Sequence, residues 1–152
     1  MEIKDSYELP LSKERVWAAL NDEEFLKKSI PWCEKLERRS DTELEAAVKL
    51  KLGPMSTRFT GSITLSDIDP PNGYTITGSG KGGIAGAASG SAKVKLVEDK
   101  GTSSTTLSYE VSAQVKGKIA QLGSRLIQST AKKLSKNFFG SFVKQLEDME
   151  KP

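Results

Sequence analysis

The last third of the chain contains the stretch GKIAQLGSRLIQSTAKKLSKNFFGSFVKQLEDM, residues 117–149. Apolar residues recur in it at spacings of three or four, the period of one face of an α-helix. A helix of about 30 residues rises roughly 45 Å, so this apolar stripe needs a wide apolar partner. The stripe consists of Ile119, Leu122, Leu126, Thr130, Leu134, Phe138, Phe142 and Leu146.

The residues before this stretch predict the partner, an antiparallel β-sheet. Apolar residues alternate strictly with other residues from Leu44 to Leu52, as in a half-buried strand. A first strand over Glu2–Leu9, two short helices and about six further strands complete the pattern. The sequence therefore predicts an α+β fold in which a curved antiparallel sheet of about six or seven strands wraps around a long C-terminal helix. Such a sheet tends to leave a cavity beside the helix.

Residues 78–92, GSGKGGIAGAASGSA, contain six glycines. They do not form a phosphate-binding loop, because they do not open a helix and no Gly-Lys-Ser/Thr triplet follows. Three interpretations remain: a strongly bent sheet, a mobile flap at a cavity mouth, or a plain loop. Gly123 within the predicted helix costs about 1 kcal/mol relative to alanine. Tight helix–sheet packing or space for a ligand would explain it.

Composition narrows the function classes. The 152 residues include one cysteine, Cys33, and no histidine, so nucleophile–histidine pairs, thiolate clusters and imidazole metal sites are excluded. We find no candidate catalytic residue, no metal ligands and no cofactor motif. The aromatic residues are not interleaved with basic ones, which argues against nucleic-acid binding.

The net charge is +3, and much of the excess lies on the last helix. It is either a solvated face or a surface for anionic lipid or an acidic partner. No apolar run has the length of a bilayer, and the N-terminus lacks a signal-peptide pattern. We expect a cytoplasmic location, with peripheral contact at the inner face of the cell membrane as an alternative.

Three segments in order resemble one known family. They are VWAALND (16–22), LSDIDPPNGY (65–74) and GKIAQLGSRLI (117–127), the last followed by Phe138 and Phe139. Together they resemble the G-subunit family of carbon monoxide dehydrogenase, which has the helix-grip fold of the START-like superfamily. The resemblance covers essentially the whole chain and implies a single START-like domain over residues 1–152.

The resemblance implies a non-enzymatic accessory protein. It would bind a hydrophobic small molecule, a lipid or an isoprenoid quinone, in the sheet–helix cavity. It would thereby support membrane coupling of a molybdenum hydroxylase of the carbon monoxide dehydrogenase type, whose subunits are its expected partners. Two alternatives remain: a protein- or membrane-docking module with a filled core, and an enzyme resembling polyketide cyclases.

Strand parity and helix phase predict the residues that line the cavity. The family usually has glycine where this chain has Trp32, so this tryptophan is expected to contact the ligand or to plug the cavity mouth. The candidate ligand-binding residues are Trp32, Met55, Phe59, Ile84, Tyr109, Leu122, Leu126, Ile127 and Thr130.

Overall fold

The computed structural model describes residues 1–150, with Leu52 and Glu150 described by their backbone alone. It contains seven strands, three α-helices and two short 3₁₀ helices. The strands are β1 (Glu2–Leu9), β2 (Cys33–Arg38), β3 (Glu43–Leu52), β4 (Met55–Asp69), β5 (Gly73–Lys81), β6 (Ala87–Asp99) and β7 (Ser104–Lys116). The α-helices are α1 (Lys13–Leu20), α2 (Glu23–Ser29) and α3 (Ser124–Glu150), and the 3₁₀ helices span Gly83–Ala85 and Lys118–Leu122.

The seven strands form one antiparallel sheet in the order β1-β7-β6-β5-β4-β3-β2. From β2 to β7 each strand pairs with the next one in sequence, so short turns connect them. The sheet is curved, and α3 lies across its concave face. The predicted α+β helix-grip fold is confirmed.

The predicted helix over residues 117–149 begins later than expected. Lys118–Leu122 form a 3₁₀ helix, and α3 starts at Ser124 after a break at Gly123, whose φ is 94°. Gly117, before the 3₁₀ helix, has a φ of 86°. Both glycines adopt backbone angles that residues with a side chain rarely take, which is why the helix cannot run through them.

The two short helices follow the first strand as expected. The Asp22 carboxylate accepts hydrogen bonds from the backbone N–H groups of Glu24 and Phe25, at 3.0 and 3.2 Å, and so caps α2. The first strand after these helices, β2, begins at Cys33.

The main core lies between the C-terminal half of α3, the two short helices and the part of the sheet that they cover. Phe142 is fully buried, and its ring packs edge-on against Phe25 at a centroid distance of 5.1 Å. Phe139 stacks on Tyr7 at 4.3 Å and on Tyr109 at 5.6 Å. These contacts fix the C-terminal half of α3, whereas its N-terminal half crosses the more open part of the concave face.

Candidate functional site: a two-chamber apolar cavity

A cavity lies between the concave face of the sheet and the helices. Its deeper part, which we call the inner chamber, has a volume of about 290 Å³ and is walled almost entirely by apolar side chains. Helices α2 and α3 cover it. Its lining includes Leu26, Leu36, Leu44, Ile63, Leu65, Tyr74, Ile76, Ala92, Val94, Leu107, Tyr109, Val111, Phe138 and Phe139.

A wider space, the outer chamber, adjoins the inner one and opens toward solvent. It has a volume of about 460 Å³. The two chambers share four lining residues: Ile63, Ile76, Ala92 and Val111. Together they fall within the size range of small-molecule sites, roughly 300–1,000 Å³.

The outer chamber exists because its floor is built from very small residues. The strand register places Ala46, Gly61, Gly80 and Ala88 side by side on four neighbouring strands. A second row beside it contains Gly78, Gly90 and Ala113. Residues without long side chains leave the space above this floor unfilled.

The glycine-rich stretch therefore forms strand rather than a long loop. It ends β5, makes the 3₁₀ turn at Gly83–Ala85 and starts β6. A Cβ added to Gly82 would lie 2.8 Å from the Phe59 ring, and one added to Gly90 would lie 2.7 Å from the Ser112 carbonyl oxygen. An aromatic ring therefore explains Gly82, and close approach of neighbouring backbone explains Gly90.

Few polar groups face the inner chamber. The Tyr109 hydroxyl and the Ser135 hydroxyl share a hydrogen bond. The Tyr74 hydroxyl donates to the Leu20 carbonyl oxygen at 3.1 Å. Arg38 donates through Nε to the Glu23 carboxylate at 2.8 Å and through a second nitrogen to the Asn21 carbonyl oxygen at 3.0 Å.

These polar groups carry no unpaired buried charge. Within residues 1–150, every buried side-chain nitrogen and oxygen has a hydrogen-bond partner. Burial raises the pKa of the Tyr74 phenol well above its usual value. Burial also raises the pKa of the Tyr109 phenol, while the hydrogen bond to Ser135 opposes that rise. Both phenols are therefore neutral at physiological pH, and the charged Arg38 in the chamber wall is held by Glu23 and Asn21.

The predicted ligand-binding residues fall into several places. Tyr109 lines the inner chamber and Phe59 the outer one. Phe59 also packs with Ala85 and Ile119 in a small cluster at the open end, against which Met55 and Leu122 lie. We call this group the mouth cluster.

The other predicted residues lie farther from the chambers. Leu126 lies beside Gly53 in the β3–β4 turn, where an added Cβ would come within 3.0 Å of its Cδ2 atom. Ile127 is buried near Ala113 and Val115, and Thr130 is half-buried on α3.

Two predicted residues are largely exposed. Ile84 exposes 85% of its surface and Trp32 exposes 55%. Trp32 has a φ of 56°, and its carbonyl oxygen accepts a hydrogen bond from the Lys49 N–H at 3.1 Å. A left-handed backbone at this position explains why glycine would suit it.

Sequence reasoning missed the residues at the junction of the chambers and the polar residues of the inner wall. Ile76, Ala92 and Val111 have inward strand parity and could have been found from it. Ser135 and Arg38 look like ordinary surface residues in the sequence. Only the helix phase of α3 and the pairing of β2 bring them to the cavity.

A sheet gripping one long helix around an apolar cavity defines a START-like protein of the helix-grip class. Solved structures agree with this class. A START superfamily protein from Mycobacterium smegmatis superimposes with a TM-score of 0.71 at 12% identity, covering 97% of this chain and 98% of that one. An aromatase/cyclase from a Streptomyces species gives 0.70 at 12% identity, covering 97% and 93%.

The chain belongs to the CoxG family, the G-subunit family of carbon monoxide dehydrogenase, whose model matches residues 6–147. A conserved protein from Geobacillus kaustophilus has a TM-score of 0.91 at 29% identity, covering 97% of this chain and 96% of that one. No match is found among curated protein sequences. Within residues 1–150 no helix is both long and apolar enough to cross a membrane.

Proposed function

We propose that the protein is a non-catalytic carrier that binds a lipid or an isoprenoid quinone in the two-chamber cavity. The ligand would help couple a molybdenum hydroxylase of the carbon monoxide dehydrogenase type to the membrane. The observation that carries the proposal is the pair of adjoining apolar spaces on the concave side of the sheet, about 290 Å³ beneath the helices and about 460 Å³ toward solvent.

The energetics favour an apolar chain as ligand. Burying each CH₂ group contributes about 0.8 kcal/mol, so eight buried groups contribute roughly 6 kcal/mol before the costs of immobilisation. The inner chamber suits such a chain, and a ring or head group would occupy the wider outer chamber. A docking module with a filled core is less consistent with these empty volumes.

One polar contact is available to a ligand in the inner chamber. In the Tyr109–Ser135 pair one hydroxyl donates to the other, and the second hydroxyl keeps its own hydrogen to donate. A carbonyl oxygen, as in a quinone or an ester, would accept it. Arg38 is paired, and burial raises the pKa of both phenols, so none of these three groups titrates near neutral pH, which supports carriage rather than catalysis.

The test uses a substitution at the junction of the two chambers. Ala92→Phe places a ring where both chambers meet, and Lys93→Phe places the same ring on the opposite, solvent-facing side of β6. We expect Ala92→Phe to weaken uptake of a ubiquinone analogue or fluorescent fatty acid at least tenfold, about 1.4 kcal/mol. Lys93→Phe should leave uptake unchanged.

Mass spectrometry of organic extracts from the purified protein complements the titration. We expect a retained apolar molecule in the unsubstituted protein and its loss in Ala92→Phe. If neither protein takes up any apolar probe, the carrier function is wrong. If Ala92→Phe folds and binds as well as the unsubstituted protein, the ligand does not occupy this cavity.

A further inference from the structure

The open end of the cavity carries an unusual distribution of charge. Three segments converge there: residues 49–59 around the β3–β4 turn, residues 80–88 around the β5–β6 turn, and residues 115–126 between β7 and α3. The mouth cluster joins all three, since Phe59, Ala85 and Ile119 pack together. We call the three segments the mouth surface.

The mouth surface contains seven basic residues and no acidic residue, while Glu34 at the start of β2 and Glu2 at the start of β1 lie at the same end of the sheet. Within residues 1–150 only one of the seven, Arg58, forms an ion pair, with Glu34 at 2.6 Å. All seven side chains are exposed: Lys49, Lys51, Arg58, Lys81, Lys116, Lys118 and Arg125.

The opposite end of the sheet has the reverse charge. Its connecting segments, residues 8–13, 20–23, 38–44, 66–73 and 97–105, hold nine acidic and four basic residues. The net charge of +3 therefore conceals a strong polarity along the strands. In an anionic surface potential this polarity turns the mouth surface toward the negative charge.

The mouth surface also carries an apolar tip. Ile84, at the 3₁₀ turn between β5 and β6, exposes 85% of its surface, the largest fraction among the large exposed apolar residues of the described chain. Lys81 precedes it on the same connection. An exposed aliphatic side chain at an end of the sheet that carries basic residues is the pattern of proteins that rest on an anionic membrane interface.

We infer that the mouth surface docks on an anionic lipid bilayer, with Ile84 inserted at the head-group level and the seven basic residues on the lipid phosphates. The idea that docking presents the cavity opening to membrane ligands rests on the proposed function. The docking itself does not, since it depends on surface charge and Ile84 alone. An acidic protein would match the charges, but the exposed Ile84 and the opening of the cavity at the same end favour lipid.

The experiment is co-sedimentation with vesicles of phosphatidylcholine alone and of phosphatidylcholine mixed with phosphatidylserine. The test variant is Lys81→Glu/Lys116→Glu/Lys118→Glu. The control, Lys93→Glu/Lys95→Glu/Lys100→Glu, changes the net charge by the same amount as the test variant. Its substitutions lie on the outer face of β6 and at the opposite end of the sheet. Each basic residue at such a surface contributes about fivefold in affinity, so we expect the mouth variant to lose about a hundredfold and the control less than about fivefold.

Two further measurements fix the orientation. Ile84→Ser should weaken binding to the mixed vesicles about tenfold without changing its dependence on phosphatidylserine. An environment-sensitive dye is attached to Ile84→Cys in a Cys33→Ser background, and its fluorescence emission should shift to the blue on vesicle binding. The emission of the same dye on Lys100→Cys should not shift.

Equal losses in the two triple variants, or binding that does not require phosphatidylserine, would overturn the docking inference. Failure of the carrier function has a different signature. In that case the protein would sediment with mixed vesicles but take up no apolar probe in solution. Conversely, uptake in solution without sedimentation would leave the carrier function intact and refute the docking surface.

Discussion

Alanine substitutions at the two glycines that flank the 3₁₀ helix separate backbone strain from packing. Gly123 has φ 94° and ψ 148°, and Gly117 has φ 86° and ψ −155°. Alanine in this region of backbone space costs about 1–3 kcal/mol at either position. The surroundings differ. Nothing lies within 4 Å of a Cβ added to Gly123, whereas one added to Gly117 would lie 2.7 Å from the Gly86 Cα atom.

The two variants should therefore lose different amounts of stability. Gly123→Ala should lower the free energy of unfolding by about 1–3 kcal/mol from strain alone. Gly117→Ala adds a clash with backbone, worth about 1–3 kcal/mol more, for a total of roughly 2–6 kcal/mol. Gly140→Ala is the matched control, because Gly140 lies inside α3 with open space around it. It should stabilise the protein by about 1 kcal/mol.

Urea denaturation followed by circular dichroism measures all three values. Equal losses for Gly117→Ala and Gly123→Ala would show that the close approach of Gly117 and Gly86 does not matter. If Gly123→Ala were as stable as Gly140→Ala, the glycine would not enforce the break. The helix would then continue from Lys118 into α3, and our account of the break would be refuted.

Two further predictions concern the tyrosines of the inner chamber. Tyr109→Phe should weaken uptake of a ubiquinone analogue about five- to tenfold, because one hydrogen bond is lost. Uptake of a pyrene-labelled alkane should stay unchanged. Equal losses for both probes would argue against a ligand carbonyl at this hydroxyl pair. Burial raises the pKa of Tyr74 in the folded protein, so above about pH 10 the unfolded chain releases this proton first and stability falls as pH rises. Tyr74→Phe should flatten that decline in urea titrations, and an unchanged slope would contradict the assignment.

Much of the fold follows from short-range patterns. Alternation along β3 and β7 correctly separates inward residues such as Leu44 and Leu107 from outward ones. The order of strands and helices predicts the architecture because adjacent antiparallel strands with short turns pair in sequence. The break at Gly123 escapes this reasoning. A 3₁₀ helix and an α-helix both place residues three apart on one side, so the apolar period continues across the break.

The cavity is harder to predict than the fold. Empty volume depends on which small residues the register brings side by side, and Ala46, Gly61, Gly80 and Ala88 come from four separate strands. None of them is conspicuous alone. Ile84 is hard to place for another reason: an apolar residue beside a glycine-rich turn suggests a lining residue, and the structure exposes it at the tip of the turn.

The place of β1 in the sheet constrains how the chain acquires its structure during synthesis. β1 pairs with β7, and the amino group of Met1 donates to the Ala113 carbonyl oxygen 112 positions away. The hairpins from β2 to β7 can form one after another as they leave the ribosome, since each needs only a local turn. β1, in contrast, must wait until the five intervening strands and β7 have been made before it finds its neighbour. Until then β1 has no partner strand, and a chaperone that shields nascent strands would act at that stage.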